Sequence, residues 1–354
     1  MALKTGTNDI ASLLAVTTQS VADYGVDSVA EVVARDLEVH NALMLDALGE
    51  LAEISTDRQR LSGVSTTMDM VEVDEYGRGP TQKQGVPSPV AFPLRSFQVP
   101  LGWTEKWMQL HTPAELAALV QNAQKAHAIK VRREIQRALF LSANYSFTDF
   151  LVDKVPLAVK RLANADSAGI PDGPNGQAFD GSTHTHYLAV SGIAASNLKA
   201  AVATVQEHGF GGTVRIIIST TDEAAVSALT GFVPLQDVRV TLDASANQPI
   251  ERLDITRTDN RKIGLFGSAE VWTKPWGLAS YPFVYDQSAQ GKPLVMRQRA
   301  QTALQGLRLA ATISTFPLAA QYFEAEFGFG VWTRTNGAVL YTGGGSYTDP
   351  TIPQ

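Results

Sequence analysis

The chain contains no cysteine among its 354 residues. This absence excludes disulfide bonds, thiolate catalysis, iron–sulfur clusters and zinc sites built on thiolates. A chain without cysteine is typical of a protein made in a reducing cytoplasm.

Long hydrophobic runs are also lacking. No stretch reaches the roughly 18 uninterrupted apolar residues of a membrane span. The nearest candidate, at 306–320, is interrupted by Arg308 and Pro317. The amino-terminal sequence carries Lys4 and Asp9 within its apolar part, which favours the start of an amphipathic helix over a signal peptide. We therefore expect no membrane partner.

An excess of positive charge is absent as well, because the formal net charge is −6. A chain with this balance does not attract nucleic acid as a whole, so any such contact is expected to be local or weak. The apolar share of 44% and the charged share of 18% are those of a folded protein. The length suffices for two domains, or for one large domain with arms.

Enzyme motifs are missing too. The sequence HGFGGT at 208–213 follows a predicted helix and precedes a predicted strand, which is the reverse of a phosphate-binding loop. We interpret it as a helix end and a turn. The patterns of a nucleophile elbow, a zinc-binding helix and a phosphate-loop lysine are not found. The sequence therefore predicts a protein that is not an enzyme, with no catalytic residues and no cofactor.

His184 and His186 form an H-x-H pair, the only histidine cluster in the sequence. On one face of a strand they could share a metal ion, but the sequence identifies no third ligand, and metal sites are normally better marked. We therefore expect solvated loop histidines and no metal site.

The first sixty residues are typical of helices. From Asp27, which we expect to cap a helix, apolar positions recur with the 3.6-residue period. These positions are Val29, Val32, Val33, Leu37, His40, Met44, Leu48 and Leu51. An apolar stripe with a charged back needs another surface to lie on.

Two stretches between residues 64 and 103 predict strands, STTMDMVEVDEY and VAFPLRSFQVPL. The segment between them, 77–89, holds three glycines and three prolines and predicts a long exposed tip. Two strands alone are marginally stable in water. The excursion therefore packs either on its own domain or, as an arm, on a neighbouring subunit.

A long helix begins after Thr112. Thr112 supplies a capping hydroxyl, Pro113 suits the first helical position, and Glu115 stands three residues after the cap. The pattern predicts a helix to about Leu141, roughly 43 Å long. Lys130, Arg133 and Arg137 share one side of it. They form either a solvated or ion-paired face or a surface for loose, sequence-independent contact with a phosphate backbone.

Residues 190–315 are typical of an α/β unit. A helix at 193–208 is expected to end at Gly209 and to be followed by a buried strand at 213–219. Further strands are predicted near Val238–Leu242, Ile263–Phe266 and Ala269–Thr273.

The last patterned segment, 326–347, has two aromatic and β-branched runs that flank Asn336 and Gly337. An Asn-Gly pair favours a tight primed turn. We predict a closing β-hairpin that forms a stiff plate for the long helix.

Taken in order, these pieces resemble the major capsid proteins of tailed bacteriophages, which have the Hong Kong ninety-seven-like fold. The segment TPAELAALVQNAQKAHAIKVRREIQRALF is similar to their spine helix, and FGFGVWTRTNGAVLYTGGGSY is similar to their closing strands. The resemblance implies an α+β fold with four parts. They are an N-terminal arm (1–62), an extended loop (63–104), a peripheral domain with the spine helix (105–189 and 316–354) and an inserted axial domain (190–315).

The resemblance also implies where the chain meets its partners. The arm and the extended loop would pack on sister copies, with inter-subunit contacts at Tyr76, Arg78, Lys83, Phe92 and Arg95. The spine helix would face packaged DNA through Lys130, Arg133 and Arg137. Some relatives join the loop to a neighbour through a Lys–Asn isopeptide bond, but no motif aligns Lys83 with Asn336 here.

The function implied is that of a structural subunit whose hexamers and pentamers form an icosahedral virion shell around double-stranded DNA. Its partners would be itself, portal and scaffolding proteins, optionally a decoration protein, and weakly bound DNA, with assembly in the host cytoplasm. A shell protein of a cellular nanocompartment with the same fold is the close alternative. An α/β enzyme with an unrecognised site near His184 and His186 is a more distant one.

Overall fold

The computed structural model describes residues 10–62, 70–79, 87–164, 166–235, 260–315 and 318–353. The helices are α1 (Ile10–Leu14), α2 (Val21–Tyr24), α3 (Val26–Leu48), α4 (Glu105–Leu110), α5 (Pro113–Phe140), α6 (Ala195–Gln206) and α7 (Glu223–Ser227). The strands up to residue 218 are β1 (Ala52–Ser55), β2 (Gln59–Ser62), β3 (Ser88–Ala91), β4 (Arg95–Thr104), β5 (Tyr145–Thr148), β6 (Pro156–Val159), β7 (Tyr187–Ala189) and β8 (Val214–Ile218). The later strands are β9 (Phe232–Pro234), β10 (Arg261–Phe266), β11 (Ala269–Thr273), β12 (Phe283–Asp286), β13 (Leu294–Gln298), β14 (Leu307–Thr315), β15 (Leu318–Val331) and β16 (Ala338–Tyr341). None of the described helices is long and apolar enough to cross a bilayer.

The spine helix forms as the sequence predicts. The Thr112 hydroxyl accepts a hydrogen bond from the backbone N–H of Glu115, and the Glu115 carboxylate accepts one from the backbone N–H of Thr112. Both hydrogen bonds of the capping box are therefore formed. The helix then runs for 28 residues to Phe140.

The spine helix lies on a five-stranded sheet. β15 is its longest strand and pairs antiparallel with β4, β13 and β14, while β1 adds in parallel to β13. Apolar side chains of α3, α5 and this sheet form the larger of two main buried clusters. Phe327 and Phe329 on β15 belong to it, so the predicted support of the long helix by this strand is confirmed.

A second unit lies between residues 187 and 341. Its seven-stranded sheet has the order β7-β16-β12-β8-β11-β10-β9, and α6 packs on it around Leu198, Ala201 and Val205. The predicted strands at 213–219, 263–266 and 269–273 are confirmed as β8, β10 and β11. The strand predicted near Val238–Leu242 lies outside the described residues.

The predicted closing hairpin is wrong. β15 belongs to the five-stranded sheet, whereas β16 pairs with β7 and β12 in the seven-stranded one. Asn336 is fully buried between them, where its side chain bonds the backbone of Asp286 and Gly291. Gly337 is extended, at φ −167°, and a Cβ there would crowd Leu162 and Phe283. The Asn-Gly pair thus lies where the chain passes, buried, from one sheet to the other. Asn336 provides hydrogen bonds there, and Gly337 allows close packing.

The described part of the N-terminal arm, 10–62, packs on its own chain, which corrects the expectation that it needs a sister copy. α3 begins at Val26 after Gly25, one residue before the predicted cap Asp27. Its stripe residues Val29, Val32 and Leu37 are buried in the cluster with α5. The side chain of Asn41 exchanges two hydrogen bonds with the backbone of Leu307 on β14. The surface that the stripe required therefore lies within the monomer.

The extended loop is anchored differently from the prediction. Its base is the antiparallel pair of β2 with β3, so a strand at 59–62 precedes the predicted stretch, of which 65–69 lie outside the described residues. Within the described part of that stretch, 70–76 has no strand. The returning strand β4 pairs along ten residues of β15 in its own chain. Of the segment between β2 and β3, the structure describes 70–79 and 87.

Candidate functional site

The two most exposed large apolar side chains among the described residues, Met70 and Tyr76, both lie in the segment 70–79. Met70 is fully exposed, Tyr76 is 77% exposed, and Val71 and Val73 are about half exposed. A local turn fixes its shape: Gly77 donates to the Asp74 carbonyl, and the Asp74 carboxylate accepts the amide of Tyr76. The turn therefore presents Tyr76 and the adjacent, exposed Arg78 outward, as expected of contact residues.

Phe92, another residue predicted to contact a neighbour, is not available for that role. Its ring is completely buried and meets the Trp332 ring edge-on at 6.3 Å, beside Val90 and Val295. The prediction failed because the stretch VAFPL joins two strands and crosses β15, where Gly330 leaves room for the Phe92 ring.

The other two predicted loop contacts have different outcomes. Arg95 is half-buried, and its guanidinium lies over the rings of Tyr145 and Phe147 in the same chain. Its cationic group is therefore occupied inside the monomer. Lys83 lies outside the described residues.

The basic stripe on α5 is largely ion-paired. Glu134, which is buried on the same helix, forms salt bridges with Lys130 at 3.2 Å and with Arg137 at 3.0 Å. Lys130 also lies over the Phe97 ring, and Arg137 bonds the carbonyl of Pro353. Of the two interpretations left open by the sequence, ion pairing accounts for Lys130 and Arg137. Arg133 is half-buried and also has a partner.

The histidines at 184 and 186 are brought together with a third one. His208 follows α6, and one ring nitrogen from each of the three lies within 4.8 Å of the other two. The Nε2 atoms of His184 and His208 are 3.0 Å apart, and Phe179 packs on both rings. His186 is 1% exposed, so the expectation of solvated loop histidines is wrong.

Burial keeps the imidazoles of His186 and His208 neutral. It lowers the pKa of His186 to about 3, helped by the neighbouring His208 and His184. It lowers the pKa of His208 to about 4, helped by His184. At pH 7 both imidazoles therefore have a free lone pair, which is the form that binds metal ions.

The sequence contained one overlooked signal for this cluster. His208 stands in HGFGGT, directly before a helix-ending glycine, and Gly209 adopts φ +85°. A left-handed residue at a helix end reverses the chain sharply. His208 is 24 residues from His184 in sequence, so only the packing of α6 on β16 and its neighbours could show that the two meet.

No family model matches the sequence, and neither does any curated protein. Among solved structures, a chain from Mycobacterium phage Patience has a TM-score of 0.67 and 19% identity, covering 99% of this chain and 96% of its own. The capsid of an empty GTA particle has a TM-score of 0.44 and 14% identity, covering 83% of this chain and 88% of its own. The holo-SrpI encapsulin complex of Synechococcus elongatus PCC 7942 has a TM-score of 0.41 and 10% identity, covering 88% and 90%. The last two scores are low, and we base no argument on them.

A match at 19% identity shows a fold and not a function. It extends over nearly the whole of both chains, so the similarity includes the arm, the spine helix and both sheets. The α+β fold predicted from the order of the sequence elements is confirmed: over nearly its whole length this chain has the fold of the Mycobacterium phage Patience chain.

Proposed function

We propose that the chain is a structural shell subunit, whose hexamers and pentamers close into an icosahedral capsid around double-stranded DNA. The observation that carries this proposal is the fold match over 99% of the chain to a phage protein. Shell subunits work through repeated interface area and need no catalytic residue. The chain would then be a virion component, assembled in the host cytoplasm with portal and scaffolding proteins, and optionally bearing a decoration protein.

The exposed segment 70–79 supports assembly through an extended loop. Apolar side chains such as Met70 and Val73 lose their contact with water only if another surface covers them. Their own chain does not cover them, because all of 70–79 is exposed. In the proposed shell, Tyr76 and Arg78 contact the adjacent copy, together with Lys83 further along the loop.

We assign the parts of the subunit accordingly. Residues 1–62 form the arm, 63–104 the extended loop, 105–189 and 316–354 the peripheral domain, and 190–315 the axial domain. Because the described part of the arm and β4 pack within the chain, we expect the exposed segment 70–79 to make the main contact with the next subunit.

Contact with packaged DNA is proposed to be weak. Lys130 and Arg137 already share Glu134, so a phosphate would have to compete with a buried carboxylate. Such a stripe would partly screen the negative charge of packaged DNA without binding it tightly. We expect its removal to change DNA retention little.

Particle formation tests this function. The full chain, produced with and without its candidate scaffolding protein, would be analysed by size-exclusion chromatography and negative-stain electron microscopy. We expect closed particles tens of nanometres across, or capsomers and tubes. A monodisperse 38.0 kDa species at high concentration with scaffold present would contradict the proposal.

The content of the particles separates the two kinds of shell. Nuclease-protected double-stranded DNA in particles from infected cells would support the capsid. A co-purifying cargo enzyme without DNA would support the nanocompartment instead. The enzyme alternative would be supported by a soluble monomer or dimer with bound zinc that forms no particles.

A further inference from the structure

Two ring nitrogens in the histidine cluster lack any hydrogen-bond partner although they are buried. They are Nε2 of His186 and Nδ1 of His208. Buried polar atoms are normally satisfied, and an exception requires an explanation such as a bound ion. Both exceptions lie in one cluster.

The hydrogen bond of His186 fixes which nitrogen holds its lone pair. Nδ1 of His186 lies 3.0 Å from the carbonyl oxygen of Gly337, and a carbonyl can only accept. Nδ1 therefore carries the proton, and Nε2 has a free lone pair inside a buried site. A histidine that donates one ring N–H to a backbone carbonyl and keeps the lone pair of its other nitrogen free has the usual arrangement of a metal ligand.

We propose that His184, His186 and His208 form a zinc-binding site that ties the loop before β7 to the end of α6. Zinc takes imidazole nitrogens at about 2.0–2.1 Å in a tetrahedral arrangement, which places them about 3.4 Å from one another. One ring nitrogen from each of the three histidines lies within 4.8 Å of the other two, so small side-chain rotations would bring the three to this spacing. The three ring centroids are also nearly equidistant, at 5.1, 5.1 and 4.9 Å.

Glu207 offers the fourth ligand. Its Oε1 lies 3.5 Å from Nε2 of His184, and its side chain is 38% exposed, so it can turn toward an ion without losing a buried partner. A carboxylate would also balance part of the charge of the divalent cation. Three histidines and one glutamate are all ligands that zinc accepts in proteins.

The site would act as a cross-link. His184 and His186 precede β7 and His208 follows α6, so one ion would join two parts of the chain. In a chain without cysteine, such an ion replaces the cross-link that a disulfide would supply. Ligand binding to the folded state alone raises its stability.

Metal analysis of the full chain tests the proposal. The protein is purified without a polyhistidine tag, treated with a chelator, returned to equimolar Zn²⁺ and dialysed before elemental analysis. We expect one zinc per chain, a rise in Tm of roughly 5 °C or more, and visible absorption of tetrahedral Co²⁺ when cobalt is used as a probe. Zinc that dialyses away, or an octahedral cobalt spectrum, would overturn the site.

Matched variants locate the ion. His184→Gln and His208→Gln should each lose bound zinc and the rise in Tm, while keeping the Tm of the metal-free protein. The control is His40→Gln, because His40 and His127 also place ring nitrogens 3.0 Å apart but have no third histidine beside them. The control should bind zinc as the unaltered chain does. Equal binding by the His184 variant, or equal loss in the control, would show that the cluster does not hold the metal.

Discussion

The described chain outside 70–79, called the body here, and the segment 70–79 differ in how their side chains are buried and paired. In the body, even charged groups are buried with partners: Asp149 is fully buried and lies 2.9 Å from Arg297, whose guanidinium also donates to the Phe92 carbonyl. In 70–79, by contrast, apolar side chains lie in water. The Asp149–Arg297 pair is thus satisfied within the monomer, whereas the apolar side chains of 70–79 would be covered only by another surface.

This difference shows which parts of the chain serve folding and which serve assembly. A substitution in the body should lower the free energy of unfolding and leave the nature of the contacts between copies unchanged. A substitution in 70–79 should do the reverse. Each prediction below tests this separation, using the stability of the unassembled chain as the common scale.

The largest effect is expected from Asp149→Ala. The substitution leaves the Arg297 guanidinium buried without its anion, which should cost about 3–5 kcal/mol of unfolding free energy. Chemical denaturation of the unassembled chain measures it. Glu31→Gln is the control, because the Glu31–Arg35 pair is largely exposed and worth less than about 1 kcal/mol. Equal losses of unfolding free energy in the two variants would show that the buried Asp149–Arg297 pair stabilises the chain no more than an exposed pair does.

A smaller effect is expected on acidification, through His127. Burial lowers the pKa of this imidazole to about 4, with a contribution from His40, whereas the unfolded chain takes up the proton near pH 6.5. The unfolded state therefore binds more protons as the pH falls, and stability is lost between about pH 6.5 and pH 4. From about pH 7 to about pH 5 the loss due to this residue should be about 2 kcal/mol.

The variant His127→Gln isolates that loss. Glutamine can still hydrogen-bond to His40 but does not titrate, so the variant should be less sensitive to pH over this range. Its denaturation midpoints at the two pH values, compared with those of the unaltered chain, give the difference. His111→Gln, at a half-exposed histidine beside Glu115, serves as the control. If the stability of the His127 variant depended on pH as strongly as that of the unaltered chain, the claim that His127 is buried in its neutral form would be refuted.

The capping box of the spine helix should contribute about 1 kcal/mol. Thr112→Ala removes the hydroxyl that accepts the Glu115 amide and leaves a helix-terminal donor without its partner. Thr204→Ala is the matched control, because Thr204 lies inside α6 and only bonds the carbonyl of Ala200 one turn back. The control should change stability by less than about 0.5 kcal/mol. Both values come from the same denaturation experiment.

The smallest effect on stability is expected in the exposed segment. Tyr76→Ala and Arg78→Ala should each change the unfolding free energy by less than about 0.5 kcal/mol, because neither side chain is buried in the chain. Their yield of particles should nevertheless fall steeply. Phe150→Ala, at an aromatic residue that is 70% exposed elsewhere, is the control for particle yield. A Tyr76 variant that assembles as well as this control would contradict the proposal that 70–79 serves assembly.

The parts of the fold that were predictable depend on local signals. The spine helix was readable because Thr112, Pro113 and Glu115 specify its start through contacts within one turn. The strands β8, β10 and β11 were readable from short buried runs between turn residues.

The errors arose where distant parts of the chain determine the structure. The Asn336-Gly337 pair has the local pattern of a hairpin turn, but the buried hydrogen bonds of Asn336 to Asp286 and Gly291 place it between two sheets. Phe92 was assigned to a neighbour because nothing near it in sequence reveals its contact with Trp332. His208 was missed for the same reason. Contacts over 24 to 240 residues are set by packing and leave no periodic trace.

The most direct test of the account is electron cryomicroscopy of the assembled chain at a resolution that traces 63–87. The account predicts closed shells in which Tyr76 and its neighbours in 70–79 lie against an adjacent copy. Shells in which this segment touches only its own subunit, or a protein that stays a 38.0 kDa monomer, would contradict it.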